Sequence, residues 1–138
     1  MKTVLVTEDN DIDYEIIHRS LQEVLPTLKV ERAETGEDCL ARLEDETSNP
    51  HIVIMDLNLP GMTGDEVIHE LKSHIKLREL PIIVVTSSSN PRDVEACYYK
   101  GANSYHLKPL QTQRFRSVIR EVANYWLVQA YLPELGDR

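Results

Sequence analysis

Short apolar runs alternate with longer amphipathic segments along the whole chain. Two runs, Thr3–Thr7 and Ile52–Met55, and a third at residues 81–85 have the length and continuity of buried strands. Weaker strand patterns lie at residues 28–32 and 105–107. The chain therefore carries five candidate strands, of which the three strongest are apolar on both faces.

The segments between these runs carry apolar residues at helical spacing. Helix boundaries are indicated by capping residues at Thr35, Thr63 and Asn90 and by stops at Pro26 and Gly101. Thr63 and Glu66 also have the spacing of a capping box. The first predicted helix has an apolar face of Ile12, Ile16, Ile17, Leu21, Val24 and Leu25. The third has Val67, Ile68, Leu71 and Ile75, and the last has Phe115, Val118, Ile119, Val122, Ala123, Trp126 and Leu127.

This alternation of strand and helix is typical of an α/β domain with a parallel sheet covered by helices on both faces. A length of 138 residues suits one domain with a single substantial core. We assign residues 1–127 to that domain and residues 128–138 to a C-terminal extension.

Composition and charge exclude several classes of function. The net charge of −8 disfavours nucleic acid, which proteins hold mainly through Lys and Arg. The apolar runs are too short to span a membrane, and the N-terminus lacks a signal-peptide pattern. The two cysteines, Cys39 and Cys97, form no disulfide framework and are expected to be packing residues, which favours a cytoplasmic location.

Chemically active side chains follow the strands. Glu8 and Asp9 come after the first strand, Asp56 and Thr86 end the two central runs, and Lys108 follows the last. In an open parallel sheet, ligands bind beyond the carboxyl ends of the strands, so these groups are expected to meet there. Clustered acids need a cation, and oxygen ligands without His or Cys favour Mg²⁺. A carboxylate beside Mg²⁺, Lys and a hydroxyl can accept a phosphoryl group.

Four blocks of sequence, at residues 6–10, 54–64, 81–86 and 101–109, resemble the receiver domain of two-component response regulators. The resemblance covers almost the whole chain and keeps the order and spacing of the family's motifs. It implies a flavodoxin-like fold with a five-stranded parallel sheet in the order 2-1-3-4-5.

The resemblance also implies roles for single residues. Asp56 would accept the phosphoryl group from the phosphohistidine of a sensor kinase. Lys108 would bind the phosphoryl oxygens, and its bond to Pro109 is expected to be cis. Thr86 would move toward the phosphoryl group while Tyr105 changes rotamer, so that these two residues form a switch.

For the metal, the resemblance implies that Asp9 and Asp56 ligate Mg²⁺, together with the backbone carbonyl of Asn58 and with Glu8 acting through water. Glu8 stands where many family members have Asp, and Ser87 stands where Ala is frequent. Both substitutions are compatible with metal binding and phosphorylation.

The resemblance further implies a stand-alone signalling protein that is not an enzyme, apart from catalysing its own phosphorylation and dephosphorylation. The chain's C-terminal motifs, at residues 125–127 and 131–133, resemble those of the Rcp group, the small regulators that serve cyanobacterial phytochromes. We therefore expect a sensor histidine kinase, of the phytochrome type, as partner. The late aromatic residues Trp126 and Tyr131 favour a homodimer through the last helix and the extension.

Two other functions remain open from sequence alone. A phosphohydrolase with an aspartyl-phosphate intermediate would use the same kind of sheet, but it usually needs an acid two positions after the nucleophile, where this chain has Asn58. A receiver-shaped binding module that is never phosphorylated is disfavoured by the intact set of Asp56, Thr86 and Lys108.

Overall fold

The computed structural model of the protein describes residues 1–134, which form five strands and five α-helices in strict alternation. The strands are β1 Thr3–Thr7, β2 Lys29–Ala33, β3 Ile52–Met55, β4 Ile82–Thr86 and β5 Ser104–Leu107. The helices are α1 Asp11–Val24, α2 Gly36–Glu44, α3 Gly64–Ser73, α4 Pro91–Lys100 and α5 Thr112–Ala123. All neighbouring strands pair in parallel, in the order β2-β1-β3-β4-β5, which confirms the predicted fold.

The apolar character of the central strands results from a core on each face of the sheet. Side chains alternate along β1, where Leu5 packs in one cluster while Val4 and Val6 pack in the other. The Leu5 cluster includes residues of α2, α3 and α4, and the other cluster includes residues of α1 and α5. Both faces of the sheet are therefore buried under helices, as the continuous apolar runs predict.

Three helix starts and one helix end follow the predicted capping residues. The side chains of Thr35 and Asn90 each accept a hydrogen bond from a backbone N–H in the first turn, at 3.0 Å. The Glu66 carboxylate accepts from the backbone N–H of Thr63 at 3.4 Å, as a capping box requires. Gly101 ends α4 with a φ of 115°, in the left-handed region that glycine adopts at little cost.

Two apolar residues assigned to helix faces are exposed instead. Ile75 lies beyond the end of α3 and is 74% exposed, and Ile12 in the first turn of α1 is 73% exposed. Spacing alone predicts a buried face for both, but Ile12 lies in the first turn of α1 and Ile75 follows the end of α3, and neither side chain is covered by the core. Cys39 and Cys97 are fully buried free thiols on α2 and α4, so their assignment as packing residues is confirmed.

The last helix changes its winding near its end. After α5 the chain continues as a π-helical segment, Asn124–Gln129, in which the N–H of Ala130 bonds to the carbonyl of Tyr125 at 2.7 Å. Trp126 packs against the core, whereas Tyr131 is fully exposed.

The last part of the extension, residues 135–138, lies outside the described residues. Within the part of the chain that is described, no helix is both long and apolar enough to cross a membrane.

Candidate functional site

The strand register brings the predicted site residues to one edge of the sheet. Thr7 pairs with Met55, so Glu8 and Asp56, which follow them, leave the sheet side by side. The backbone N–H of Asp56 donates to the carbonyl of Thr7 at 3.1 Å, which extends this pairing by one residue. The carboxyl ends of β1 and β3 therefore present two acids next to each other.

The other half of the site comes from β4 and β5. Thr86 pairs with Leu107, and the backbone N–H of the next residue, Lys108, donates to the Thr86 carbonyl at 2.7 Å. The Lys108 side chain then crosses the crevice toward β3, where its Nζ lies 2.9 Å from Oδ2 of Asp56. Residues from four strands thus meet at one point, as the sequence predicts.

Lys108 Nζ has three carboxylate neighbours. Besides Asp56, it lies 2.6 Å from Oε1 of Glu8 and 3.0 Å from Oδ2 of Asp13, in the first turn of α1. The Glu8 and Asp56 side chains are only 1% and 6% exposed, and that of Lys108 is 9% exposed. Buried charges this close are stable only when they are paired, so the ammonium holds the acid cluster together.

The same contacts set the pKa values of the three groups. Burial and the charge of Asp56 raise the pKa of Glu8 to about 7, despite the Lys108 ammonium. Burial would raise the pKa of Asp56, but attraction to Lys108 outweighs it and the pKa of Asp56 is lowered. Burial would lower the pKa of Lys108, but the bond to Glu8 and the charge of Asp56 raise it. At neutral pH, Asp56 is an ionised carboxylate beside a charged ammonium.

The acid cluster also fits a divalent cation. Glu8, Asp9 and Asp56 each offer a carboxylate oxygen, and these oxygens lie within 4.8 Å of one another. The donor set is oxygen only, which suits a hard ion. Asp9 and Asn58 are exposed, so the cluster opens to solvent on one side. The backbone N–H of Asn58 turns toward Oδ1 of Asp56, at 3.3 Å.

The two proposed switch residues lie at the edge of this crevice. Thr86 is fully buried, and its hydroxyl helps to lower the pKa of Asp56, although it meets no acceptor in good hydrogen-bond geometry among the described residues. Tyr105 is half-buried, packs against the Leu5 cluster, and donates its hydroxyl to the carbonyl of Ser88 at 2.8 Å. A buried hydroxyl without an acceptor is available to a new anion.

Close packing against α3 fixes the segment after Asp56. The N–H of Gly64 donates to the carbonyl of Leu57 at 3.1 Å, and a Cβ at Gly64 would lie 2.3 Å from the carbonyl oxygen of Asp56. Only glycine allows the start of α3 to approach β3 this closely.

The prediction of a cis peptide bond between Lys108 and Pro109 is wrong. No peptide bond in the described chain is cis, so this bond is trans. The trans form is favoured by about 0.5–1 kcal/mol before any tertiary contact acts. With the bond trans, the Lys108 ammonium already reaches its three carboxylates.

Sequence reasoning missed two residues of the site. Asp13 contacts Lys108, and Arg32 donates from Nε to the carbonyl of Glu8 at 3.0 Å while its guanidinium lies over the Tyr14 ring. Asp13 could have been suspected as an acid in the first turn of the helix that follows Glu8 and Asp9. No sequence signal indicates the contact of Arg32.

Comparisons with known proteins agree with this architecture. Residues 4–120 match the model of the response regulator receiver domain. The response regulator Rcp1 of Synechocystis sp. is 30% identical over 141 aligned positions, which cover 96% of this chain and 93% of Rcp1. The probable methanogenesis regulatory protein FilR2 of Methanothrix harundinacea is 32% identical over 128 residues, covering 90% of this chain and 83% of FilR2.

Two solved structures are similar over nearly their full length. The phosphorylated cyanobacterial phytochrome response regulator RcpA superposes with a TM-score of 0.93 at 28% identity, covering 96% of this chain and 99% of RcpA. The Mn²⁺-bound form of Rcp1 gives a TM-score of 0.85 at 32% identity, with the same coverage of both chains. Since the family model spans most of the chain and the structural likeness is this extensive, the protein belongs to the response regulator receiver domain family.

Proposed function

We propose that this protein accepts a phosphoryl group on Asp56 from the phosphohistidine of a sensor kinase and signals through protein contacts. The observation that carries the proposal is the convergence of Asp56, Lys108 and Thr86 on one partly open crevice lined with acids. Membership in the receiver family supports phosphoacceptor signalling and, in general, a histidine kinase as partner.

In the proposed reaction, a carboxylate oxygen of Asp56 attacks the phosphorus of phosphohistidine. A P–O bond forms as the P–N bond breaks, and the electron pair leaves on the imidazole of the kinase. Lys108 and the Thr86 hydroxyl would donate to the phosphoryl oxygens and offset their charge. The lowered pKa of Asp56 keeps this nucleophile ionised at neutral pH.

Mg²⁺ is the metal that we propose, held by Asp9, Asp56 and the backbone carbonyl of Asn58, with Glu8 acting through water. When bound, the ion would supply positive charge to the transferring phosphoryl group. The oxygen-only cluster of Glu8, Asp9 and Asp56 supports a divalent ion, and the Mn²⁺-bound structure of the relative Rcp1 supports the same chemistry.

The proposed signal is a population shift driven by the new dianion. Thr86 has a buried hydroxyl that lacks a well-aligned acceptor, so a phosphoryl oxygen would satisfy it. Movement of Thr86 would change the packing of β4, the strand that pairs with β5 beside Tyr105, whose hydroxyl bonds to the Ser88 carbonyl. We propose that Tyr105 changes rotamer in step, altering the surface formed by β5 and its neighbouring helices.

Incubation with acetyl phosphate and Mg²⁺, followed by intact-mass analysis, tests the reaction. We expect one added phosphate, about 80 Da, that is lost in Asp56→Asn and lost when Mg²⁺ is chelated. An unchanged mass would favour the non-phosphorylated binding module. Release of many phosphates per protein molecule from small substrates would favour the phosphohydrolase and contradict the proposal that turnover is limited to the protein's own phosphoryl group.

We propose a bacterial phytochrome as the kinase, because the phytochrome response regulator RcpA is similar over nearly the whole chain. Phosphotransfer from purified, autophosphorylated phytochrome kinases should be faster than from unrelated histidine kinases. Equal rates would remove the support for a phytochrome partner.

A cytoplasmic location is proposed on the ground that Cys39 and Cys97 are both free thiols.

We also propose the domain limits 1–127 and 128–138, with a homodimer formed through α5, the π-helical segment and the extension. Three large exposed side chains support the homodimer: Tyr125, Val128 and Tyr131. In sedimentation, Val128→Ser with Tyr131→Ser should shift the mass toward the monomer, whereas the control Tyr99→Ser, at a 92% exposed position on α4, should not. A wild-type monomer would contradict the dimer.

A further inference from the structure

Asp13 differs from the other two carboxylates that contact Lys108. Glu8 and Asp56 belong to the cluster that could hold a divalent ion, and Asp13 does not. Nζ donates hydrogen bonds to Oδ2 of Asp13 and Oδ2 of Asp56, and Oε1 of Glu8 lies 2.6 Å away as an ion-pair partner without good hydrogen-bond geometry. A divalent ion and the ammonium would therefore compete for oxygens of the same two acids.

Resting on the proposed function, we propose that Asp13 is a positioning residue for Lys108. It holds the ammonium beside the crevice when a divalent ion draws on Glu8 and Asp56. Without Asp13, the carboxylates left in contact with Lys108 would be those of two metal-binding acids, Glu8 and Asp56, and the ammonium and the metal ion would oppose each other. With Asp13, one strong acceptor stays available to Lys108 whether or not a metal is bound.

The local structure suits this role. Asp13 lies in the first turn of α1, where its backbone N–H donates to Oδ1 of the N-cap residue Asn10 at 2.9 Å. Asn10 in turn donates from its backbone N–H to Oε2 of Glu8 at 3.2 Å, so the turn is tied to the site. The Asp13 side chain is 29% exposed, which keeps its charge partly solvated when Lys108 moves.

A simpler explanation is that Asp13 only stabilises the start of α1, since acids are favourable near helix N-termini. Asp11 provides the matched control, because it is an acid in the same first turn. It pairs with Arg32 at 2.9 Å and is 85% exposed. Replacing either acid by Asn removes one negative charge from the same helical turn, but only Asp13 touches Lys108.

Two measurements on the full chain test the proposal. In calorimetric titration with Mg²⁺ alone, Asp13→Asn should weaken binding, because Lys108 would then compete with the ion for Glu8 and Asp56. We expect about a tenfold effect, similar to the loss of an outer-shell partner at a metal site. Asp11→Asn should change it less than about twofold, because the charge of this 85% exposed side chain is screened by solvent and salt. Asp13→Glu should restore much of the affinity, because a longer carboxylate can still reach the ammonium. Denaturant titrations of each variant establish that it is folded.

The second measurement observes the ammonium directly, by ¹⁵N NMR of lysine side chains, with the Lys108 signal assigned through Lys108→Arg. In the wild type with Mg²⁺ this signal should persist, since Asp13 protects the ammonium from exchange, and it should vanish in Asp13→Asn. Equal Mg²⁺ affinities for the Asp11 and Asp13 variants, or no Mg²⁺ binding by the wild type, would overturn the proposal. Phosphorylation measured on the same samples separates this outcome from failure of the proposed function.

Discussion

The Lys108 ammonium lies 2.9 Å from Oδ2 of Asp56, although 52 positions separate the two residues. The contact joins the ends of β3 and β5, which are not neighbours in the sheet. It places a positive charge beside the carboxylate that we propose as the nucleophile. Because both side chains are nearly buried, this charge acts in a medium that screens it weakly.

Removal of the Lys108 charge should destabilise the protein. In Lys108→Met, which keeps much of the aliphatic stem, the acids lose their ammonium, and we expect a loss of about 3 kcal/mol in the free energy of unfolding with EDTA present. Mg²⁺ should recover part of this loss. Lys100→Met, which breaks the more exposed pair with Asp65, should cost less than about 1 kcal/mol in urea titrations. Equal losses would contradict the importance of the buried cluster.

Glu8 should make stability depend on pH. Its pKa is about 7 in the folded protein against a usual value of 4.5, so between these values the folded state holds a proton that the unfolded state has lost. Stability conferred by this proton is present below pH 4.5 and disappears as the pH rises to 7, by up to about 3 kcal/mol.

The measurement compares wild type with Glu8→Gln in EDTA, at a series of pH values, by chemical unfolding. The difference between the two proteins isolates Glu8 from other titrating groups, including His106, whose pKa is lowered by burial. Wild type should lose stability relative to the variant from pH 4.5 to 7. A relative gain over this range would show that the folded protein lowers the pKa of Glu8.

Gly64 should tolerate no side chain. In Gly64→Ala the new Cβ would lie 2.3 Å from the Asp56 carbonyl oxygen and 2.8 Å from Cα of Leu57. Both contacts are with backbone, so relief requires a shift of β3 or α3. We expect a loss of about 1–3 kcal/mol and slower phosphorylation by acetyl phosphate. Glu70→Ala, at an exposed position of the same helix, should change neither quantity; unaltered kinetics in Gly64→Ala would refute the packing argument.

Thr86→Val should raise the stability of the unphosphorylated protein. The buried hydroxyl helps to lower the pKa of Asp56 but lacks a well-aligned acceptor. We expect the gain from removing this incompletely bonded polar group, about 1 kcal/mol, to exceed the loss of its effect on Asp56. The same substitution at Thr35 should have the opposite effect, a loss of about 1 kcal/mol, since that hydroxyl caps α2. Thermal unfolding of both variants checks the two signs, and destabilisation of Thr86→Val would mean that its hydroxyl already has a strong partner.

The strand ends explain why much of the site could be predicted from sequence. The apolar runs that end at Thr7 and Met55 are buried on both faces, as is typical of a parallel sheet, and their parallel pairing brings the following acids together. The order of the strands and the roles of single residues follow only from the resemblance to the receiver family, because periodicity does not determine which strands are neighbours.

Other features depend on three-dimensional contacts that spacing does not encode. Asp13 meets Lys108 across 95 positions through the direction in which α1 leaves β1. Ile75 matches the α3 stripe but lies past the helix end, where no core remains. The π-helical winding of Asn124–Gln129 also carries no sequence signal, since the apolar stripe continues through it.

The most direct test of phosphorylation at Asp56 is chemical mapping of the phosphorylated residue. After incubation with acetyl phosphate and Mg²⁺, borohydride reduces an aspartyl phosphate to homoserine, which peptide mass spectrometry locates. We expect homoserine at position 56 alone, in a yield that falls to background when Mg²⁺ is chelated. Homoserine at another acid, or phosphate retained on a histidine with position 56 unchanged, would contradict the assignment of Asp56 as the phosphoryl acceptor.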